Sequence, residues 1–271
     1  MVTTARVNEV RRRTTVGAVV SVVYGFGCYL AFVAAFLYAV AFLANVVVPV
    51  TVDRGGPQSG IAAAVTIDAA LLMVFAVQHS VMARHAFKRR WTGLVPQHIE
   101  RSTYVLLTTA ALALVFWQWH PIPTVVWDVP NSASRALLWG LFAVGWVWVL
   151  AMTFAIDHLD MFGLGRVARN LRGLADQPPT FALPLPHRLV RHPMMLGFFP
   201  AFLATPTMTV GHLLFAGLGI AYILVGVRLE EHDLTRELPE YGAYAAVTPR
   251  FVPRRRPSSA NTASTDQRSS S

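Results

Sequence analysis

Five apolar stretches, 16–50, 61–82, 102–119, 136–156 and 194–227, leave this chain few ways to fold. Each approaches or exceeds the roughly 20 apolar residues that cross about 30 Å of hydrocarbon. Inside a bilayer the backbone must satisfy its own hydrogen bonds, so runs of this length read as membrane helices. Composition agrees: 54% of the 271 residues are hydrophobic and only 14% charged, too little charge for a soluble domain of this size. The expected fold is all-α, a polytopic membrane helix bundle.

Charge placement orients the bundle. The formal net charge of +9 comes from 23 basic residues, all arginine except Lys88. No soluble basic domain is available to bind nucleic acid. The arginines gather in alternate loops instead. The segment 84–101 holds Arg84, Lys88, Arg89, Arg90 and Arg101, and 157–191 holds Arg166, Arg169, Arg172, Arg188 and Arg191. The turns 51–60 and 120–135 carry one arginine each. By the positive-inside rule the basic loops and both termini face the cytosol, which places the chain in the inner membrane. The basic N-terminus (Arg6, Arg11, Arg12, Arg13) precedes an apolar run too long for a cleaved signal peptide, so that run is read as a retained span. The lone Cys28 lies in mid-span and reads as a packed thiol.

The fifth stretch is too long for one crossing. As a straight helix its 34 residues would run about 50 Å. Pro200, the "TPT" of 205–207 and Gly211 interrupt it, and the arginines beyond it belong with the basic side. A helical hairpin, 194–204 and 210–227, meets both demands. The expected organisation is a basic N-terminus (1–15), a four-span bundle (16–156), a cytosolic loop (157–193), a hairpin with a cofactor-binding segment (194–253) and a disordered polar tail (254–271).

Polar residues concentrate at the basic ends of the spans, in "QHSVMARHAFK" (78–88), "ERSTYVL" (100–106), "DHLDMFG" (157–163), and "PHRLVRHPMMLG" joined across the hairpin to "VRLEEHDLTRELPEYGAYAAVTPRFVP". Ionisable groups at membrane depth point to function. Snorkelling and capping account for many of the arginines, but not for Gln78, His79 and Ser80 on the apolar side of Arg84. Glu230 and Glu231 end a helix where the macrodipole favours cations. Arg188 and Arg191 suit an anion, and the acidic pair suits an amine or a ribose, so a zwitterionic nucleoside ligand would use both. A metal at His187, His192 and His232 is the rival reading. No HExxH or CxxC spacing supports it, and no metal is expected.

The ordered set "RHPMMLG", "LEEHDL", "YGAY" and "PRFVP" resembles the cofactor-binding half of the isoprenylcysteine carboxyl methyltransferase and phospholipid methyltransferase superfamily. The chain has Met195 where the superfamily has tyrosine. "QHSVMARHAFK", "ERSTYVL", "WHP", "VVWDV" and "ATPTMTVGHLLFA" narrow the likeness to the methanethiol S-methyltransferase family, related to the NnrU-like membrane proteins. The resemblance implies S-adenosyl-L-methionine as cofactor and a small thiol, methanethiol or hydrogen sulfide, as acceptor. Carried over position by position, it implies cofactor contacts at Arg191, His192, Gly197, Glu230, Glu231, Tyr241 and Tyr244, with Arg188 set to meet the methionyl carboxylate.

Methylation of a thiol proceeds by in-line attack of the thiolate. A base or a positive field, alignment and exclusion of water are therefore required. The candidate bases are His79, Tyr104, Asp157 and His158. Arg84 and Arg101 could steady the thiolate, and Glu100 is the acidic neighbour of Arg101. The partners implied are a small thiol and membrane lipid, with no nucleic acid, and the sequence is compatible with a homo-oligomer. Two other readings stand beside this one: a prenylcysteine or phospholipid methyltransferase, and a non-enzymatic NnrU-like membrane protein.

Overall fold

The computed structural model describes the backbone of residues 2–174 and 185–253 and the side chains from Val16 onward. The expected basic N-terminal side chains, part of the polar loop (175–184) and the expected disordered tail (254–271) lie outside the described residues. The apolar stretches become helices: α1 (Val2–Ala44), α2 (Ile61–Ala83), α4 (Gln97–Gln118), α5 (Ser132–Ile156), α8 (Pro193–Leu203) and α9 (Val210–Glu237). Short helices follow the spans at one end: α3 (His85–Trp91), α6 (His158–Met161), α7 (Leu164–Leu171) and α10 (Pro239–Val247). All of these except α8 and the short helices are long and apolar enough to cross a membrane, α1 from Val16 onward.

Contacts set the directions. Ser21 Oγ, midway along α1, lies 2.9 Å from His98 Nε2 at the start of α4, and Phe42 packs on Trp119 at the far ends of both, so these helices run parallel. Asp68, early in α2, accepts from the backbone N–H of His120 just past α4, so α2 runs back. The Arg84–Asp233 ion pair joins the ends of α2 and α9, which are therefore parallel. The 34-residue stretch thus divides into two antiparallel arms. Its first helix rises only about 16 Å, and its second runs ten residues past the expected end at 227.

The helices α5 and α8 pack backbone against backbone. A Cβ on Gly197 would sit 2.8 Å from Gly145 O, and one on Gly145 would sit 2.7 Å from Gly197 O. Two facing glycines let the backbones meet, the usual device where lipid supplies no hydrophobic drive between helices. Pro193 opens α8 at a position whose N–H needs no helical partner.

The helical bundle is as expected, and the structure adds two details to it. The first apolar run does not stay helical to Val50. Asn45 takes φ 62° and ends α1, and 45–60 folds over the bundle rim. The bundle also carries a small antiparallel sheet, β1 (Val125–Asp128) with β2 (Thr207–Thr209). It forms because the hairpin turn must satisfy exposed backbone groups, and 122–129 lies beside it: Gly211 N–H donates to Ile122 O at 3.0 Å and Val129 N–H to Pro206 O at 3.0 Å. Beneath this cap lies the main core, with Phe42, Trp119, Phe142, Trp146, Phe202 and Phe215 all buried. The indole of Trp119, fully buried, donates to Val52 O.

Candidate active site

At the bundle end opposite the strand cap, the chain gathers its polar residues into two clusters. The first sits between α2, α4 and α9. Tyr104 Oη lies 3.1 Å from each ring nitrogen of His79, so the imidazole tautomer decides which group donates. Phe75, one turn earlier on α2, stacks on the imidazole at 5.6 Å, and Tyr222 of α9 meets it edge-on at 6.2 Å. The Tyr222 hydroxyl is 3.2 Å from Ser80 Oγ. Arg101, one turn before Tyr104, holds its guanidinium carbon 5.2 Å from the phenol centroid. Its Nε donates to Met161 O at 2.8 Å. A cation over that ring face favours negative charge beside it. Gln78 Oε1 is buried and has no hydrogen-bond partner among the described residues. Lys88, on α3 next to this cluster, has its ammonium pKa lowered by burial and then by the charge of Arg101.

The second cluster ties the start of α8 to the end of α9 and to 249–251. Backbone bonds from Arg191 N to Pro249 O and from His192 N to Arg250 O, at 2.9 and 3.1 Å, lay the C-terminal segment across the helix entry. Glu231, 6% exposed, is the centre. Its Oε1 lies 3.1 Å from His192 Nε2, and its Oε2 accepts from Arg250 Nε at 2.7 Å. Arg191 Nε stands 3.1 Å from Oε1, within ion-pair range but off the hydrogen-bonding direction. Glu230 differs: its side chain is 56% exposed, with His192 Nδ1 at 3.8 Å. Arg191 and 245–250 line a cleft of about 320 Å³. Nearby, Tyr244 donates to His187 O at 2.5 Å and meets Tyr241 edge-on. Burial, with the charge of Glu231 second, pushes the Tyr241 phenol up to about 12, so it stays protonated at neutral pH. Burial lowers the pKa of His187, with His192 adding to the effect.

The helix α9 joins the two clusters. Its Tyr222 and Asp233 face α2, while Glu230 and Glu231 face His192.

Of the residues singled out from the sequence, His79, Tyr104 and Arg101 come together, and so do Arg191, His192, Glu230 and Glu231. Glu100 turns away from Arg101: it is buried and accepts from Arg166 at 3.1 Å. Arg84 is engaged by Asp233. Asp157 is exposed, and its carboxylate caps α6 by accepting from the Asp160 N–H. His158 is buried between Tyr29 and Thr153, which bond its two ring nitrogens at 2.8 and 2.7 Å. Arg188 is exposed at the end of a 3₁₀ turn, Leu185–Arg188. Gly197 spends its missing Cβ on α5, as described above. Among the described residues, no three of His, Cys, Asp and Glu are grouped to hold a metal ion.

Sequence reasoning overlooked Tyr222 and the pairing of Arg250 with Glu231. A signal for the first existed. Tyr222 and Asp233 are eleven residues apart, about three helical turns, and Ser80 and Arg84 are four apart, so each pair forms a stripe on one helix face.

The family model described as NnrU protein matches residues 69–250. A methanethiol S-methyltransferase of Mycobacterium tuberculosis is 52% identical over 218 residues, covering 80% of this chain and 89% of the relative. Methanethiol S-methyltransferase 1 of Bradyrhizobium diazoefficiens is 46% identical over 238 residues, covering 88% and 83%. A methanethiol S-methyltransferase of Crocosphaera subtropica is 45% identical over 231 residues, covering 85% and 90%. No solved structure matches the chain.

Proposed function

The chain belongs to the NnrU protein family, and from that premise we propose that it methylates methanethiol to dimethyl sulfide with S-adenosylmethionine as methyl donor. The observation that carries this reading is likeness over most of the chain to relatives named for that reaction. The two clusters supply the chemistry it needs.

The donor set of the second cluster fits the cofactor. Glu230, open to solvent, suits the amine or the ribose hydroxyls, and Arg188, exposed outside the cluster three residues before Arg191, would have to reach in to meet the methionyl carboxylate. Glu231 is already engaged by His192, Arg191 and Arg250, so it holds the wall of the cleft in place. When bound, S-adenosylmethionine supplies an electrophilic methyl carbon on a sulfonium.

The first cluster prepares the acceptor. His79 takes the thiol proton at a ring nitrogen, while the Tyr104 hydroxyl holds the imidazole in place. Arg101, held on Met161 O, favours the thiolate against its neutral form. With the methyl group passed to the thiolate sulfur in exchange for its bond to the donor sulfur, His79 would be left carrying the acceptor's proton. The surrounding rings of Phe75, Tyr104 and Tyr222 exclude water from the site.

Purified protein in detergent, given labelled S-adenosylmethionine and a panel of methanethiol, sulfide and farnesylcysteine, should pass label to dimethyl sulfide. Labelled farnesylcysteine with no turnover of methanethiol or sulfide would overturn the assignment.

We assign the reaction to the cytosolic membrane face; the position of both clusters at the arginine-rich ends of the helices supports this. Only the buried Cys28 competes in a cysteine-labelling experiment. Introduced at 90, 172 and 236, cysteines should label from the cytosol, and at 59 and 134 from outside. Labelling of position 236 from outside would make the hairpin a single crossing.

A further inference from the structure

We propose that Tyr222 sets the size of the accepted thiol, closing the side of His79 that Phe75 and Tyr104 leave free. The inference rests on the methyltransferase reading. A one-carbon thiol is hard to select. Burying an added methylene would by itself favour the larger thiol about fourfold. Preference for the smallest acceptor therefore needs a wall that does not yield.

Three aromatic rings surround the His79 imidazole. Phe75 lies along it at 22° and 5.6 Å, Tyr104 is tilted 41° at 5.4 Å, and Tyr222 stands nearly perpendicular at 82° and 6.2 Å. Phe75 is on the helix that carries His79, and the Tyr104 hydroxyl is engaged with it. Tyr222 alone of the three comes from α9, the helix that carries Glu230 and Glu231 two turns later. Its ring also meets Phe75 edge-on at 6.1 Å.

Retreat of that ring is opposed along the whole seam between α2 and α9. Ser80 holds the Tyr222 hydroxyl at 3.2 Å, Arg84 pairs with Asp233, and His85 Nε2 lies 3.2 Å from Glu237 Oε2. The two rungs beyond Tyr222 anchor α9, so the wall is fixed relative both to the base and to the cofactor cleft. The ring, rather than the hydroxyl, is the excluding element. Its hydroxyl only limits ring motion.

The test compares wild type, Tyr222→Phe, Tyr222→Leu and Tyr222→Ala with methanethiol, ethanethiol and 1-propanethiol, with S-adenosylmethionine affinity measured in parallel. The ratio of kcat/KM for propanethiol over methanethiol should rise at least about tenfold in Tyr222→Ala, the order expected when a pocket gains or loses methylene space. It should rise less in Tyr222→Leu and stay within about twofold in Tyr222→Phe, with cofactor affinity retained. Where the alanine variant does not fold, the leucine variant carries the same comparison. An unchanged ratio in cofactor-binding Ala or Leu variants would overturn the inference while leaving the methyltransferase reading intact. So would a shift in Tyr222→Phe as large as in Tyr222→Ala. A wild type that methylates no thiol would sink both.

Discussion

Glu231→Ala should lower stability by about 3 kcal/mol, the cost of leaving a buried cation without its partner, whereas Glu230→Ala should leave stability within about 0.5 kcal/mol. The two neighbours sit in different surroundings. Glu231, 8% exposed at its side chain, meets Arg191, His192 and Arg250 at once. Its removal leaves Arg191, only 13% exposed, without its carboxylate partner. Arg250, nearly half exposed, regains water and softens the loss. Glu230 has no comparable cage, so its loss should appear in the ligand. S-adenosylmethionine affinity should fall about tenfold, the order of one charge-assisted hydrogen bond. Thermal unfolding in detergent and calorimetry separate the two effects. Equal destabilisation by both substitutions would show that Glu231 is not the clamp. Unchanged affinity in Glu230→Ala would remove that carboxylate from the cofactor site.

His79→Ala should reduce kcat for methanethiol by about 10² to 10⁴-fold, the range for loss of a positioned base, with cofactor affinity unchanged. Tyr104→Phe keeps the ring under Arg101 but removes the hydroxyl that orients the imidazole. Its loss should be smaller, about tenfold, as expected for a misaligned rather than absent base. A pH profile distinguishes the base from a packing residue. Without His79 the residual rate should follow free thiolate, rising about tenfold per pH unit below the acceptor's own pKa. Wild-type turnover should be far less steep once the imidazole is neutral. A parallel fall in rate for His79→Ala at every pH, with the same slope as wild type, would exclude His79 as the base.

The sequence made the membrane helices legible because each depends on a local property, an unbroken apolar run about as long as the bilayer is thick. The division of the fifth stretch was legible for a similar reason: 34 residues overrun one crossing, and the "TPT" of 205–207 marks the break, whereas Pro200 and Gly211 lie inside α8 and α9. Cap details were less legible. The run to Val50 stays largely apolar on both sides of Asn45, and hydropathy does not report that Asn45 adopts a left-handed turn and ends the helix.

Within the candidate site, the sequence alone supplied the inventory: His79, Tyr104 and Arg101 within reach of one membrane face, and the ordered set from Arg191 to Pro253. The tertiary structure decided the partnerships. Arg84 meets Asp233 across 149 positions, Glu100 meets Arg166 rather than adjacent Arg101, and β1 pairs with β2 some 80 residues away. Adjacent acidic residues became a buried clamp and an open carboxylate because successive side chains on a helix diverge by about 100°. One faces Arg191 and Arg250, and the other faces solvent beside His192. A helix face is encoded by periodicity along the chain. Which face meets which neighbour depends on the packing of the whole bundle, where Gly145 and Gly197 bring α5 and α8 together and the α2–α9 seam brings Tyr222 to His79.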